Sequence, residues 1–519
     1  MQKVTSIKNL CILFAAAALI SSCKKNGGLF SKKPEKSTNT GWTYNDPKGS
    51  GFRVSKEKEQ KAGPGLVFVQ GGTFTMGATD EDVMRDWNNI PRRVTLPSFY
   101  MDETEVANVH YREYLYWLNR VFQGDSNIVN KALPDTLCWR DELAFNEPYV
   151  EYYFRHPSYN DYPVVGVTWQ QAHDYALWRT DRVNENLLFE KGITNKKAEL
   201  QKQMQGSGQE NFNSKAYLLG IYQATPGKNL KNYKDPITKQ TPTSITFEEG
   251  IMLPEYRLPN EAEWEYAAYG YIFQNPQPRK KESKRGEELQ ANRSIYPWLN
   301  KWNGVREDRH GGWHGQMLAN FKRGSGDNMG VAGGLNDRAS ITAPVKSFYP
   351  NGFGLYNMAG NVSEWTADVF RPLSNLDVSD FNPYRGNKWT KIDMSSGAPE
   401  VDSMGRIKTV NLTDAEASKR RNYQRGDVKN FLDGDSSSQV TYGYGQTTLI
   451  NDKSRVYKGG SWNDRAYWLS PGTRRFLDED QASSQIGFRC AMIRVGSQEG
   501  NGFKTGNIWS RRKQNSRKR

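Results

Sequence analysis

Cysteine is scarce in this sequence: the 519 residues contain 4, at positions 11, 23, 138 and 490. The first two lie in an N-terminal segment that we expect to be processed, which leaves Cys138 and Cys490 for the folded region. At most one disulfide can therefore form there. The sequence leaves open whether these two thiols pair or both stay buried and free.

Long hydrophobic runs are also missing. The N-terminal run from Leu10 to Ile20 follows Lys3 and Lys8 and is too short to span a bilayer as a mature helix. A charged segment followed by a short apolar run is typical of a secretory signal peptide, here predicted over residues 1–22. The residues Ile-Ser-Ser before Cys23 resemble a bacterial lipobox, so Cys23 is the predicted lipidation (palmitate) site. The alternative is an ordinary signal peptide that ends by chance at a cysteine.

A lipid on Cys23 would anchor the chain without a spanning helix. Lys24, Lys25 and Asn26 follow the anchor, with no Asp next to it and no acidic run there. By resemblance to bacterial lipoproteins, this implies the periplasmic face of the outer membrane. Residues 23–63 are polar, basic and rich in Gly and Ser, which predicts a flexible tether. The net charge of +14 is attributed to solubility and basic tails, and nucleic acid would be out of reach in that compartment.

What the sequence does have is aromatic side chains and turn formers. Aromatics make up 12% of the residues, enough for a sizeable core, while 47 Gly and 23 Pro favour short elements and long loops. One domain is predicted over residues 64–497, with polar insertions near 186–250, 272–315 and 371–454. Residues 498–519 form a basic C-terminal tail.

Periodicity and capping signals place several elements. Residues 66–76 predict two strands around a tight turn at Gly71-Gly72. Asn108 is the expected N-cap of a helix through Phe122. Capping boxes are predicted at Thr168 with Gln171 and at Asn260 with Glu263, and Gly270 is expected to end the second of these helices.

The ordered segments resemble the formylglycine-generating-enzyme, or sulfatase-modifying factor, domain. They are GGTFTMG, FYMDETEVAN, YPVVGVTWQQA, RLPNEAEWEYAAYG, NGFGLYNMAGNVSEWTADVF, GGSW and GFRCA, in the family's order over about residues 64–495. The resemblance implies an α+β, C-type-lectin-like fold that is low in regular secondary structure and carries long loop insertions. The segments GWTYNDPKGSGF and ALWRTDRVNE also resemble the gliding-motility lipoproteins of the type IX secretion system.

The family's enzymes need a pair of reactive thiols that bind copper and activate oxygen, and soft thiolates are what Cu(I) prefers. Counted from Gly459, those positions fall on Asp464 and Leu469, while Cys490 corresponds to a structural cysteine. An aspartate is a hard ligand and a leucine is none. We therefore expect no enzyme activity and no copper.

The resemblance also implies up to two structural calcium sites. One would use Asn320, Phe321, Asp337 and Ala339, and the other Asn357, Gly360, Val362 and Glu364. Carboxylate, amide and backbone oxygens suit Ca²⁺. The alternative is that these residues only shape loops, because Asn and Asp are common turn formers.

These expectations combine into a scaffold lipoprotein of the outer membrane, required for type IX secretion and gliding motility. Its partners would be other lipoproteins and ring components of that machinery, periplasmic proteins and outer-membrane lipid. The alternative is a member of the enzyme family with altered chemistry or a carbohydrate-binding role, with Trp298, Trp302 and Trp313 as sugar platforms. Burial of these rings against the domain competes with that interpretation.

Overall fold

The computed structural model describes residues 35–497 with gaps at 47, 50, 56, 58, 79–83, 85–87, 206–207, 209, 236, 271–293, 299–303, 309–310, 313, 325–336, 371–383, 385, 387–389 and 418–452. The predicted signal peptide, Cys23 and the basic tail lie outside the described residues, as do Trp302 and Trp313. Two compact units are present: one combines residues up to 56 with Lys231–Pro242, and the other comprises 57–230 and 243 onwards.

In the smaller unit, an antiparallel bridge joins Lys36 to Thr43. The rings of Tyr44 and Phe52 meet edge to face at 5.9 Å, and the Arg53 guanidinium lies 5.2 Å from the Tyr233 ring centre. Part of the predicted tether and part of the first predicted insertion thus share this unit.

Short strands organise the larger unit. In chain order they are β1 (Leu66–Val69), β2 (Gly72–Met76), β3 (Arg92–Leu96), β4 (Phe99–Asp102), β5 (Tyr256–Arg257), β6 (Ser363–Val369), β7 (Thr390–Ile392), β8 (Thr409–Asn411), β9 (Ser454–Lys458), β10 (Arg475–Asp478), β11 (Ile486–Gly487) and β12 (Ala491–Ile493). One sheet has the order β1-β4-β12-β5, with antiparallel neighbours. A second has the order β10-β9-β6-β11, where only the β6–β11 pair is parallel, and β2–β3 and β7–β8 form separate antiparallel pairs.

The two strands expected around Gly71-Gly72 are present but do not pair with each other. β1 joins β4 and β2 joins β3. The connection is constrained because a Cβ on Gly71 would lie 2.3 Å from the carbonyl carbon of Pro97. Gly71 thus packs against the connection between β3 and β4, the strands that pair with β2 and β1.

Helices surround these strands: α1 (Asn108–Val121), α2 (Ser126–Ala132), α3 (Glu147–Tyr152), α4 (Trp169–Glu190), α5 (Lys196–Gln205), α6 (Ser214–Leu218), α7 (Glu261–Tyr269) and α8 (Asp414–Ala417). Short 3-10 turns cover Thr136–Trp139, Pro157–Tyr159, Leu230–Tyr233, Phe247–Glu249 and Ala466–Leu469. Among the described residues no helix is long and apolar enough to cross a membrane.

Both predicted capping boxes are confirmed, at the starts of α4 and α7, and Gly270 ends α7. The prediction for Asn108 was wrong: Ala107 is the N-cap, and Asn108 is the first helical residue. Its buried amide donates instead to the carbonyls of Tyr153 and Tyr159, at 3.1 and 3.0 Å. Asn side chains often cap helices, but here the Asn108 amide makes tertiary hydrogen bonds instead.

The core contains large aromatic side chains. Trp365 on β6 and Trp264 on α7 are fully buried, in two separate hydrophobic clusters. The indole N–H of Trp365 donates to the Val167 carbonyl, and that of Trp264 to Glu364. Each buried ring thus has its polar atom satisfied, as stable burial of tryptophan requires. Through this bond Trp264 connects the core to Glu364, a residue of the second predicted calcium set.

Candidate functional site

The segment after β9 carries the two positions that the enzyme resemblance assigns to thiols. Asp464 follows the Gly459–Trp462 turn, and its carboxylate is held by a bidentate ion pair with Arg475, with both N–O distances 2.6 Å. The backbone N–H and the hydroxyl of Ser461 also donate to it, at 2.8 and 2.7 Å. This carboxylate fixes a turn and has its charge balanced internally, which is a structural use of the position.

Leu469 occupies the other position and is fully buried. It lies in a hydrophobic cluster with Met317, Ala319, Phe321 and Ala359. Its place at the end of a 3-10 turn directs the side chain into the interior. Neither position offers a soft ligand or an open coordination site.

The thiols of Cys138 and Cys490 are free and not joined to each other, so the pairing that the sequence left open does not occur. Burial raises the pKa of each to about 12. A thiol with such a pKa is almost entirely protonated at neutral pH, and the protonated form is a poor nucleophile and metal ligand.

The turn from Asn357 to Glu364 contains three residues with positive φ: Asn357 (52°), Gly360 (77°) and Asn361 (65°). Gly360 is required in this place, because a Cβ there would lie 2.3 Å from the Asn320 carbonyl oxygen. The turn therefore brings the two predicted calcium sets next to each other. Asn320 also donates its amide N–H to the Asn361 side chain at 3.4 Å.

In the second set, Asn357 and Glu364 are buried side by side with a carboxylate that the sequence did not single out, Glu105. The amides of Asn357 and Asn361 donate to the two Glu105 oxygens, at 3.1 and 2.9 Å. Glu364 accepts from Arg489 Nη2 at 2.5 Å and from its Nε at 2.6 Å, and from the Trp264 indole at 2.7 Å.

Two features of this cluster suit a cation. Asn357 Oδ1 is buried and has no hydrogen-bond partner among the residues that the structure describes, and such an orphaned oxygen is uncommon in proteins. Burial raises the pKa of Glu105 to about 8, with the neighbouring Glu364 charge adding to the rise against the opposing effect of Arg489. Arg489 is hydrogen-bonded to Glu364, so a cation bound beside Glu105 would favour the ionised form of Glu105 and balance its charge. The Glu364 oxygens already have three donors, so this residue would share its carboxylate between Arg489 and the ion.

The first set also comes together. The Asp337 carboxylate accepts backbone N–H groups from Phe321 at 3.4 Å and from Ala339 at 3.3 Å. Burial raises the pKa of Asp337 to about 6. Asn320 uses its amide N–H on the Ile341 carbonyl at 2.8 Å. A desolvated carboxylate beside an asparagine also suits Ca²⁺, although in the described part of the chain no three His, Cys, Asp or Glu side chains form a metal-binding group.

Sequence reasoning missed a second buried network, where the acidic residues of α7 meet β9. Glu261 is paired with Arg474, with N–O distances of 2.5 and 2.9 Å, and Lys458 lies between Glu261 at 3.3 Å and Glu265 at 2.9 Å. Local sequence pattern gives no sign of these pairs, because the partners of Glu261 and Glu265 lie 193 to 213 residues away along the chain. Glu263 has the expected capping role and also pairs with Arg257 at 2.7 Å.

Acid is expected to destabilise the fold through Glu261. Burial alone would raise its pKa, but the charges of Arg474 and Lys458 outweigh burial and lower the pKa to about 2. Since the folded pKa lies below the ordinary value of 4.5, this stabilisation is present above pH 4.5 and is lost as pH falls towards 2. Unfolding free energies measured from pH 6 to pH 2 should fall less steeply in Glu261→Gln than in wild type; equal slopes would contradict this assignment.

Comparisons with known proteins agree with this architecture. The model of the sulfatase-modifying factor enzyme 1-like domain matches residues 51–493, so the chain belongs to that family. Its fold is accordingly α+β and formylglycine-generating-enzyme-like, with short strands and helices and long connections, as the sequence predicted.

Individual relatives are distant. Formylglycine-generating enzyme from Mus musculus is 25% identical over 61% of this chain and 61% of its own length, so the match spans about three fifths of that relative. An inactive C-alpha-formylglycine-generating enzyme 2 from the same organism is 24% identical over 64% of this chain and 77% of its own length. PvdO from Pseudomonas aeruginosa is a similar solved structure, with 16% identity, coverage of 82% and 93%, and a TM-score of 0.39.

Proposed function

We propose that this chain is a non-enzymatic lipoprotein that keeps the sulfatase-modifying factor fold as a scaffold. The proposal rests on the contacts made by Asp464 and Leu469, the residues at the two positions that correspond to the family's thiols. Asp464 is neutralised by Arg475, and Leu469 is sealed in a hydrophobic cluster. The described cysteines are unpaired, Cys138 half-buried and Cys490 buried, and burial raises the pKa of both thiols, so they are poor substitutes for a reactive pair. Relatives named as inactive formylglycine-generating enzymes, from mouse and cattle, support a non-catalytic member of the family.

We further propose that the chain is a component of the type IX secretion and gliding-motility machinery. Segments EDVMRDWNN, SFYMDETEVAN and ALWRTDRVNE resemble the gliding-motility lipoprotein GldJ of the type IX secretion system more closely than the related ring-forming lipoprotein GldK/PorK. We infer that the chain is lipidated at Cys23, faces the periplasm from the outer membrane, and docks other lipoproteins and ring components of that system. Its long insertions and basic tail, with Arg511, Arg512 and Lys513, would favour encounter with acidic partner surfaces.

Cysteine oxidation is the first test. The wild-type chain, supplied with copper and oxygen, should leave a cysteine peptide unconverted to formylglycine by mass spectrometry. The double variant Asp464→Cys/Leu469→Cys should also be inactive, because Arg475 and the Leu469 cluster fill the space around both thiols. Formylglycine production by the wild-type chain would refute the non-enzymatic assignment.

Anchoring and docking are tested in the native cell. Cys23→Ser should lose palmitate labelling and leave the outer-membrane fraction, while Cys138→Ser should retain both. Deletion of 498–519 should reduce secretion, gliding and crosslinked complexes recovered from the membrane. If all three were unchanged, the tail would not be a contact surface.

We also propose that calcium stabilises the fold through one or both oxygen-rich sets. Added calcium should raise the melting temperature and a chelator should lower it, because a ligand that binds only the folded chain adds stability. Asn357→Leu should remove much of this response, since it deletes the orphaned Oδ1, whereas Asn186→Leu on the surface of α4 should not. A melt insensitive to both calcium and chelator would reject the proposal.

A further inference from the structure

A cleft of about 640 Å³ opens beside the first predicted calcium set, among segments 149–162, 307–318 and 337–356. This volume falls within the roughly 300–1,000 Å³ range of small-molecule sites. The cleft is separate from Asp464 and Leu469, neither of which lines it. Nothing in the proposed scaffold role accounts for it.

One side of the cleft consists of tyrosines whose rings are held in place from behind. Buried Tyr153 packs on Tyr159 at 5.2 Å between ring centres, and Tyr159 packs on Tyr162 at 5.1 Å. Tyr149 is fixed by Trp139 at 5.5 Å. The three rings that line the cleft are therefore rigid platforms, each half-buried.

The hydroxyls of Tyr149, Tyr159 and Tyr162 form no hydrogen bond with any residue that the structure describes, whereas the Tyr153 hydroxyl is paired with Pro163 and Thr342. Each of the three remaining hydroxyls can both donate and accept. Aromatic surface and hydrogen-bonding capacity are thus combined on the same side chains.

The charges of the cleft do not favour an anion. Two cations and two carboxylates line it: Arg338 and Lys346 on one side of the balance, Glu307 and Asp337 on the other, and Lys346 is already paired with Glu103 at 2.7 Å. A wholly apolar ligand would leave the tyrosine hydroxyls and the carboxylate without partners on desolvation, at a cost in free energy. A ligand with apolar C–H faces and many hydroxyl groups satisfies both kinds of surface.

We propose that this cleft binds a neutral oligosaccharide, with Tyr149, Tyr159 and Tyr162 as its stacking and hydrogen-bonding platform. These tyrosines are not the side chains that the sequence suggested as sugar platforms, which were Trp298, Trp302 and Trp313. Of these, Trp298 is partly buried, stacked on Tyr296 at 5.0 Å, and donates its indole N–H to the Gly304 carbonyl. That ring is used for internal packing.

The test is calorimetric titration of the full mature chain with two probes, tri-N-acetylchitotriose and maltotriose. At least one should bind saturably. Tyr159→Ala should weaken that binding about two- to tenfold, the range expected for loss of one aromatic contact. Tyr349→Ala should weaken it as well; Tyr349 lines the cleft but is half exposed, so this variant should stay folded even if the first does not.

Tyr116→Ala is the matched control, because Tyr116 lies on α1, is 67% exposed and does not line the cleft. Its affinity should equal that of the wild type. Absence of saturable binding with both trisaccharides would overturn the proposal, and so would an equal loss of affinity in the control. Either result would leave the scaffold role standing, since that role does not depend on this cleft.

Discussion

Arg489→Leu is expected to lower the free energy of unfolding by about 3–5 kcal/mol, the cost of removing one partner from a buried ion pair. Arg489 and Glu364 are both fully buried and joined by two short contacts. Arg489 also donates to the carbonyls of Asp102, at 3.1 Å, and Tyr356, at 2.8 Å. Its loss would remove the guanidinium paired with Glu364 and the donor to these two carbonyls. Chemical denaturation measures the change.

The matched control is Arg140→Leu. Arg140 and Glu147 form a similar pair at 2.8 Å, but their side chains are 58% and 47% exposed. Solvent screens such a pair, so this substitution should change the free energy of unfolding little. If the two variants lost equal stability, Arg489 would not be holding a buried charge cluster together.

Lys458→Met should produce a loss of similar size, about 3–5 kcal/mol, from the other buried network. Lys458 and Glu265 are both fully buried and are joined at 2.9 Å, so the substitution removes an ammonium group from beside a desolvated carboxylate. The methionine fills much the same volume, which separates the effect of charge from that of a cavity. Thermal and chemical unfolding give the measurement.

A double variant tests whether Lys458 and Glu265 are energetically coupled. Adding Glu265→Gln to Lys458→Met removes the buried carboxylate charge that had faced Lys458 and should recover part of the stability, a coupling that independent sites do not show. Lys391→Met, which breaks an exposed pair with Glu416, should change stability little. Strict additivity of Lys458→Met and Glu265→Gln would argue against the network.

Features encoded within a few residues were predicted well. The capping boxes at Thr168 and Asn260 depend on side chains three positions apart, so local pattern was sufficient. The family motifs correctly indicated the fold class, because their order along the chain is itself specific. The two strands around Gly71-Gly72 were predicted, but their pairing with β4 and β3 was not, and the cap at Asn108 was wrong. In both places distant segments supply the hydrogen-bond partners.

By itself, the sequence determined the fold family, the local helix starts, and the presence of aspartate and leucine at the positions resembling a thiol pair. Only the tertiary structure decided what those residues do. Asp464 is paired with Arg475 on β10, and the hydrophobic cluster around Leu469 is assembled from three distant segments. The same holds for Glu105, which becomes part of the Asn357 turn only through folding. Charge pairing and desolvation depend on neighbours in space, and these are set by packing of the whole chain rather than by spacing within it.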